Sequence, residues 1–543
     1  MKFGTLFSGW SLPKRRRPTV LENGIILAGS PSWQEVCAVR DTGEWFIADG
    51  YTTDESVLEE LQQIVDWGTF PQLTTRNVVK LADIKALYES GDIDRRQTLR
   101  RSSSELNQRI HQLLADATRA RASDLKILVR DGATEIRAKI AGAEIAFGPQ
   151  WTREEGIAAS AAIFDARDGG SGQTSRTEGT FQSFSVSSAP LFPLPQGLVK
   201  LRGQAGSHEG DNGQQEHTVL RLFYSEADAA TKTLEDLGLD AEAMAALARI
   251  RRAGDGAMVM GGSTGDGKST TLIRMVQRLH QETDGRVSIV TVEDPVEVRL
   301  REEGIIQIPV ASAGDGEART EVYRKALMHF SRINPDVGVI SEIRDVYGAA
   351  QVLQFVSSGH LCLTTLHVGE VNNIPFRLIS MGVAPQELAR PGVLRLLMMQ
   401  KLLPTLCPDC AQPVGKEDAL PAYLDGLAAP ERAKLRLRNP AGCKSCRRGS
   451  GSGADAWAGY ARMSAVCEFI EPDSSYLAAV AENDALGAKA HWLTPQDKGG
   501  LGGVPLGTKV LARVLDGSAD PFDAETKRAH EGMETRKGPR VAA

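Results

Sequence analysis

The run Gly262-Ser-Thr-Gly-Asp-Gly-Lys-Ser269 is preceded by Ala257-Met-Val-Met260 and followed by Thr270-Thr-Leu-Ile-Arg-Met275. An apolar strand, a glycine-rich turn and a helix beginning at the lysine fill the P-loop pattern G-x-x-x-x-G-K-[ST] at every position. Glycines allow consecutive backbone N–H groups to turn toward one centre, so the turn forms a nest for phosphate oxygens at a helix N-terminus. Gly262, Ser263, Thr264, Gly265, Asp266, Gly267, Lys268, Ser269 and Thr270 are therefore the candidate nucleotide-binding residues. Lys268 can reach the outer phosphates as a point charge, and the Ser269 hydroxyl can ligate Mg²⁺. A glycine turn that merely precedes a helix would not need both the lysine and the hydroxyl. The sequence predicts a nucleoside triphosphate site.

The chain has 543 residues, too many for one core, so three or four domains are expected. Lys+Arg of 63 against Asp+Glu of 69 leaves a formal charge of -6, which gives no electrostatic reason to expect general nucleic-acid binding. No stretch approaches the ~18 consecutive apolar residues of a membrane span. Met1-Lys-Phe-Gly-Thr-Leu-Phe-Ser8 lacks a basic region followed by an apolar segment, so no leader is expected. The basic cluster Lys14-Arg-Arg-Arg17 reads as a solvated surface. Of seven cysteines, four stand in two C-x-x-C pairs, which suits a reducing compartment and a metal better than disulfides. A cytoplasmic location follows.

Outward from the P-loop, short apolar strands alternate with helices. Val287–Val292, Val337–Ile340 and Leu361–Thr365 are strand-like, and Ala241–Arg252 is helical. This alternation predicts an open α/β sheet over 234–400 with its site at the strand ends. Upstream, Leu125–Arg130 and Glu135–Ile140 flank a turn as a hairpin. Thr152–Asp165 is helical, while Phe181–Val186, Leu198–Arg202 and Thr218–Tyr224 are strand-like. Asp168–Ser175 and Gly206–Glu216 are polar and glycine-rich enough to read as loops. Residues 105–226 thus form a small α+β domain. Residues 1–100 contain strand-like Gly24–Ala28 and Glu44–Ala48 and a helix from Glu55 to Trp67, with no chemical constellation, and read as a docking module. A polar boundary at Arg95–Ser104 leads into a helix reaching about Ala122. Residues 401–525 carry the paired cysteines and a helix at Gly507–Leu515, and 526–543 is a charged tail expected to be mobile.

Two further stretches carry carboxylates at strand ends. Val337-Gly-Val-Ile-Ser-Glu-Ile-Arg-Asp345 delivers Glu342, and Val292-Glu-Asp-Pro-Val-Glu297 delivers Glu293 and Asp294. A carboxylate in either place can also cap a helix. Beside a P-loop, an acidic group that orients water or a metal-bound water is the better reading.

Four motifs in this order resemble those of the secretion ATPases of type II secretion and type IV pilus assembly. Gly262–Ser269 resembles their Walker A box, Val292–Glu297 their aspartate box, Ser341–Asp345 their atypical Walker B box, and Ser358-Gly-His-Leu-Cys-Leu-Thr-Thr-Leu-His367 their histidine box. The similarity runs from about Ala122 to Glu525. It implies a RecA-like core preceded by a PAS-like α+β domain, Mg-ATP hydrolysis, a hexamer, and an inner-membrane platform protein as partner. Residue by residue it implies Glu342 as catalytic glutamate, Glu293 as a second carboxylate near metal and water, and His367 as γ-phosphate sensor. His360 alone reads as structural. Arg202 and Arg221 align with arginines of the small domain that reach the phosphates, and Arg332 with one from the core. Arginine spreads positive charge over the equatorial oxygens of a transferring phosphoryl group.

The chain departs from that pattern at Met328, where an arginine is usual, and at Asn334, Ser341 and Asp266. A carboxylate at 266 is unfavourable beside phosphate unless it faces away. A nucleotide-binding scaffold with little turnover is the alternative these changes raise, and a retraction or conjugation ATPase is a second.

Cys407-Pro-Asp-Cys410 and Cys443-Lys-Ser-Cys446 suit a closed tetrahedral Zn²⁺ site, with a segment such as Lys416–Asn439 folded outward between them. In the resembling family such an element accompanies assembly and secretion ATPases rather than retraction ATPases. A zinc ribbon beside Lys444, Arg447 and Arg448 can also bind nucleic acid. The segment lacks interleaved aromatics, so no direct nucleic-acid partner is expected. Cys37, Cys362 and Cys467 are solitary, and Cys362 lies in an apolar strand, a core position.

Overall fold

The computed structural model of the chain describes residues 19–20, 24–27, 31–66, 73–90, 93–168, 181–189, 192–210, 213–224, 233–294, 296–310, 317–415, 417–447 and 454–528. Met1–Ser8, Lys14–Arg17, Ala28, Trp67, most of the Asp168–Ser175 stretch, Pro295, Lys416, Arg448 and the tail beyond Arg528 lie outside the described residues. The chain divides into two compact units, Met1–Gln108 and Arg109–Ala543.

In the first unit, strands Cys37–Val39, Trp45–Ala48 and Arg76–Val79 form a three-stranded sheet. Helices Glu55–Asp66 and Leu81–Ser90 belong to the same unit. Its small core gathers Trp33, Cys37, Ile47, Leu61 and Ile84. The Trp33 indole N–H donates to the Val57 carbonyl at 3.1 Å, so the ring is buried with its polar atom satisfied.

The second unit opens with a six-stranded antiparallel sheet. Its order is Ala143–Ala146, Thr134–Ile140, Asp124–Val129, Gly213–Tyr224, Leu198–Gly210, Gln182–Ser187. Alternate residues of Asp124–Val129 are buried, the pattern of a sheet with one covered face. Helix Arg153–Asp165 packs on the sheet and starts with a capping box, in which Thr152 and Glu155 satisfy each other's backbone N–H groups. Gly156 permits the close approach, because a Cβ there would stand 2.0 Å from the Thr134 hydroxyl.

The expected loop at Gly206–Glu216 is instead the far end of a long hairpin. The pairing continues through Gly206↔His217 and Glu209↔Gln214 to Gly210↔Gly213. Backbone ladder bonds hold this ribbon without an apolar side-chain pattern, so its polar composition concealed it.

The main sheet has seven strands in the order Ile305–Pro309, Ile289–Glu293, Val337–Ile340, Leu361–Leu366, Gly256–Gly261, Leu394–Leu406, Tyr460–Ile470. The first six are mutually parallel and the last is antiparallel. Gly256–Gly261, Ile289–Glu293, Val337–Ile340 and Leu361–Leu366 are buried at every residue, as strands covered on both faces must be. One face packs residues of Glu317–Ile333 and Val346–Ser357 into a core. The other packs those of Ala241–Ala253 and Lys268–Glu282. Strand Leu394–Leu406 runs through residue 400, so the main sheet draws on sequence from both sides of the expected 400/401 boundary. Among the described residues no helix is long and apolar enough to cross a membrane.

Candidate nucleotide site

The register of the parallel strands brings the expected residues together. Gly261 pairs with Leu366, so Gly262 and His367 leave adjacent strands side by side. Ile340 pairs with Thr364 and Val292 with Ile340, which places Glu342 between His367 and the Glu293–Asp294 pair. All these residues lie just beyond the carboxyl ends of their strands, where open α/β sheets bind ligands.

The P-loop turns through left-handed glycines, with φ of 89° at Gly265 and 78° at Gly267, conformations that L side chains rarely adopt. Gly267 is the N-cap of helix Lys268–Glu282 and supplies no side-chain bond, leaving the first-turn N–H groups available to an anion. The buried Lys268 ammonium donates to the carbonyls of Gly262 at 2.7 Å and Ser263 at 2.9 Å. Burial pulls its pKa below the ordinary lysine value, opposed by the charges of Asp266, Glu342 and Glu297. The Asp266 carboxylate turns into the loop and accepts the Ser263 N–H at 2.6 Å.

Glu342 Oε1 stands 3.0 Å from His367 Nε2, while His367 Nδ1 donates to the Gly262 carbonyl at 3.1 Å. Glu342 Oε2 accepts from Arg344 Nε at 3.2 Å, and a terminal nitrogen of Arg344 reaches Asp294 at 2.6 Å. Glu293 is buried and accepts from the Thr291 hydroxyl at 2.6 Å and the Gln307 amide at 2.9 Å. Burial pushes its carboxyl above the usual range, and those two hydrogen bonds only partly offset this.

A cavity of about 620 Å³ joins this edge to the six-stranded sheet. Thr264 to Thr270, Glu293, Glu342 and His367 line one side, and Arg202 and Arg221 the other. Arg202 and Arg221 are direct cross-strand partners, and Arg221 is oriented by Asp124 at 3.0 Å. Arg332 is not in the wall. It ends helix Glu317–Ile333, which feeds the opposite end of the strand that delivers Glu342. His360 precedes its strand, at the same opposite edge, and its ring stacks on Phe355 at 4.8 Å.

Two residues at this edge were not assigned from sequence. Arg344 follows Glu342 by two positions, just beyond the end of strand Val337–Ile340, and contacts both Glu342 and Asp294. Gln400 is a buried amide inside the apolar run Leu394–Leu406, and its Nε2 donates to the Asp266 carbonyl at 2.8 Å. A neutral amide in a largely apolar strand is a weak signal for it, obscured by Arg395, Lys401 and Thr405 in the same strand.

The four paired cysteines converge, their sulfur atoms all within 4.8 Å of one another. Cys407–Cys443 is 3.7 Å, and Cys410–Cys446 and Cys443–Cys446 are 3.8 Å. Thiolates about 2.3 Å from a tetrahedral ion stand about 3.8 Å apart, so the cluster fits Zn²⁺. The Cys446 sulfur also accepts N–H groups from Cys443 at 3.1 Å and Gly459 at 3.2 Å, which fix its position in the cluster.

Comparison with known proteins agrees with this geometry. The chain is 32% identical over 270 residues to type II secretion system protein E of Dickeya dadantii, covering 50% of this chain and 49% of that protein. It is 30% identical over 238 residues to the type IV pilus assembly ATPase PilB of Acinetobacter baylyi, covering 43% and 38%. The chain thus spans about half the length, or less, of the curated relatives it matches. The X-ray structure of the Legionella pneumophila ATPase DotB shares the fold, with a TM-score of 0.53 at 16% identity over 77% of this chain and 94% of that one. Residues 212–492, more than half of the chain, match the family described as Type II/IV secretion system protein, and the chain belongs to that family.

Proposed function

We propose that this protein is a Mg-ATP-hydrolysing motor that powers type IV pilus assembly or a type II-like secretion machine. The observation that carries the reading is the meeting, at one sheet edge, of the P-loop with Glu342, Glu293 and His367, across a cavity from Arg202 and Arg221. In this reading the seven-stranded sheet is a RecA-like core and the six-stranded sheet a PAS-like partner. The P-loop N–H groups and Lys268 hold the phosphates, and Glu342 orients the attacking water. His367 follows the γ-phosphate, with Glu293 as a second carboxylate beside it. Mg²⁺, held through Ser269, supplies charge neutralisation between the outer phosphates.

Arg202 and Arg221 belong to a sheet separate from the P-loop sheet, so closure around nucleotide draws the two sheets together. Such coupling turns hydrolysis into movement. Arg332 is not among the residues lining the cavity at its own P-loop, and in this reading it serves an adjacent copy. This accords with a homohexamer, in which each site is completed by its neighbour. In this reading the protein is a cytoplasmic ring at the inner membrane that acts on a polytopic platform protein, with no nucleic acid in direct contact. The cysteine cluster holds structural Zn²⁺ and favours the assembly branch over retraction. Residues 1–100 are the candidate docking module.

The test is phosphate release from purified protein with Mg-ATP, comparing wild type with Glu342→Gln. Turnover in the wild type that is lost in the variant, with nucleotide binding kept, is expected. Binding without turnover in either protein, even in the assembled ring, would replace the motor by a nucleotide-dependent scaffold.

A further inference from the structure

Gln400 is 1% exposed, on the strand that flanks the P-loop strand. Met399 is the register partner of Gly261, so Gln400 comes level with Gly262, the first glycine of the loop. Both ends of its amide are engaged. Nε2 donates to the Asp266 carbonyl at 2.8 Å, and Oε1 accepts the Thr271 hydroxyl at 2.8 Å. Asp266 in turn holds the Ser263 N–H through its carboxylate. A continuous tie therefore runs from Ser263 through Asp266 and Gln400 to Thr271, spanning the loop and the first turn of the helix behind it.

This tie differs in kind from the bonds made by Lys268. The lysine ammonium lies on the carbonyls of Gly262 and Ser263 and must leave them to meet a phosphate. The Gln400 bonds use a carbonyl and a hydroxyl behind the nest and involve neither Lys268 nor any donor an anion would need. A primary amide presents a donor and an acceptor in one rigid plane, which an apolar side chain cannot replace and a carboxylate replaces only in part. Space is matched as closely, since a Cβ on Gly267 would stand 3.0 Å from Gln400 Nε2.

We propose that Gln400 is a positioning residue of the nucleotide site: it braces the P-loop from the neighbouring strand and keeps the phosphate nest formed before nucleotide arrives. The inference rests on the P-loop being a nucleotide site. A preformed nest does not spend binding energy on ordering itself, so the brace acts on affinity more than on the chemical step.

The test uses the full chain, with Mg-ATPγS binding by calorimetry and ATP turnover in parallel. Gln400→Met keeps volume and loses both bonds. It is expected to weaken Mg-ATPγS about tenfold and to raise KM by more than it lowers kcat. Thr271→Val removes one end of the same tie, so the double variant is expected to bind no worse than Gln400→Met alone. If Gln400→Met does not fold, Gln400→Glu takes its place, keeping the acceptor for Thr271 but losing the donor to Asp266. A folded Gln400 variant that binds with wild-type affinity would overturn the inference and leave the site intact. Absence of binding in the wild type would overturn the nucleotide reading itself.

Discussion

Glu342 Oε1 and His367 Nε2 lie 3.0 Å apart, within hydrogen-bond reach of each other. The second ring nitrogen is held by the Gly262 carbonyl, at the first residue of the P-loop. His367 is thus a strut between the loop that would hold phosphate and the carboxylate that would orient water. A change at the phosphates reaches Glu342 through one side chain.

Replacing His367 by Ala is therefore expected to reduce kcat about 100-fold while nucleotide affinity stays within about threefold. The loop and Lys268 retain their own contacts, so binding does not depend on the imidazole. Steady-state turnover set beside calorimetric binding of Mg-ADP separates the two effects. A loss of binding equal to the loss of turnover would show that His367 only shapes the loop.

Glu293 carries a cost in the folded protein. Burial raises its pKa above the unfolded value, so the folded state binds the proton more tightly than the unfolded chain does. Its stability contribution is fully present below the unfolded carboxyl value and is lost as pH rises through the folded one. Glu293→Gln keeps an Oε1 for Thr291 and Gln307 and removes the charge. Its melting temperature is expected to exceed that of the wild type by a few degrees at neutral pH, with the difference closing as pH falls through the raised folded-state value and gone below about 4.5. Turnover should fall in the same variant. Stability gained with activity lost is the mark of a carboxylate kept for function. A melting difference independent of pH would remove burial of charge as its cause.

Much of this site could be read from sequence because it is local. The P-loop follows directly on one strand, Glu293 and Glu342 stand at or just beyond the ends of theirs, and parallel register does the rest. Ile340↔Thr364 and Gly261↔Leu366 bring Glu342, His367 and Gly262 together once the strands are adjacent. What escaped the sequence either depends on a neighbour distant along the chain or leaves no apolar pattern. Gln400 lies 134 residues from the Asp266 carbonyl it holds. The long hairpin at 206–216 is stabilised by backbone pairing that leaves no apolar trace. Asp266, unfavourable beside phosphate when read in isolation, spends its carboxylate on Ser263.

Arg344 serves two carboxylates at once, Glu342 through Nε and Asp294 through a terminal nitrogen. The Asp294 side chain is 3% exposed and that of Arg344 35%, so the pair is intermediate between a surface and a buried one. Lysine carries its charge at one point and lacks the separate, rigidly spaced nitrogens by which Arg344 holds the two carboxylates. Arg344→Lys is expected to cost about 1–2 kcal/mol of stability. Turnover should drop at least about tenfold, because Glu342 loses the partner that aims it. Denaturant melts and phosphate release on the same preparation check both. Wild-type turnover in this variant would mean that His367 alone orients Glu342.

The cysteine cluster is connected to the cavity wall. Cys446 accepts the N–H of Gly459, and two residues before it the indole N–H of Trp457 donates to the Ala120 carbonyl at 2.7 Å. Trp457 and Arg121 both line the cavity. Removing a tetrahedral metal lets its ligands take up protons and removes the bonds that hold the two knuckles together, so the knuckles are expected to separate and the Gly459 contact to be lost with them. One zinc per chain is expected by metal analysis, and Cys446→Ser should abolish it. Strong chelation should lower the melting temperature and shift tryptophan emission, a shift that Trp457→Phe removes. Metal-free protein that melts at the same temperature would make the cluster dispensable to the fold. A shift that persists in Trp457→Phe would place the disturbance elsewhere than at the cavity wall.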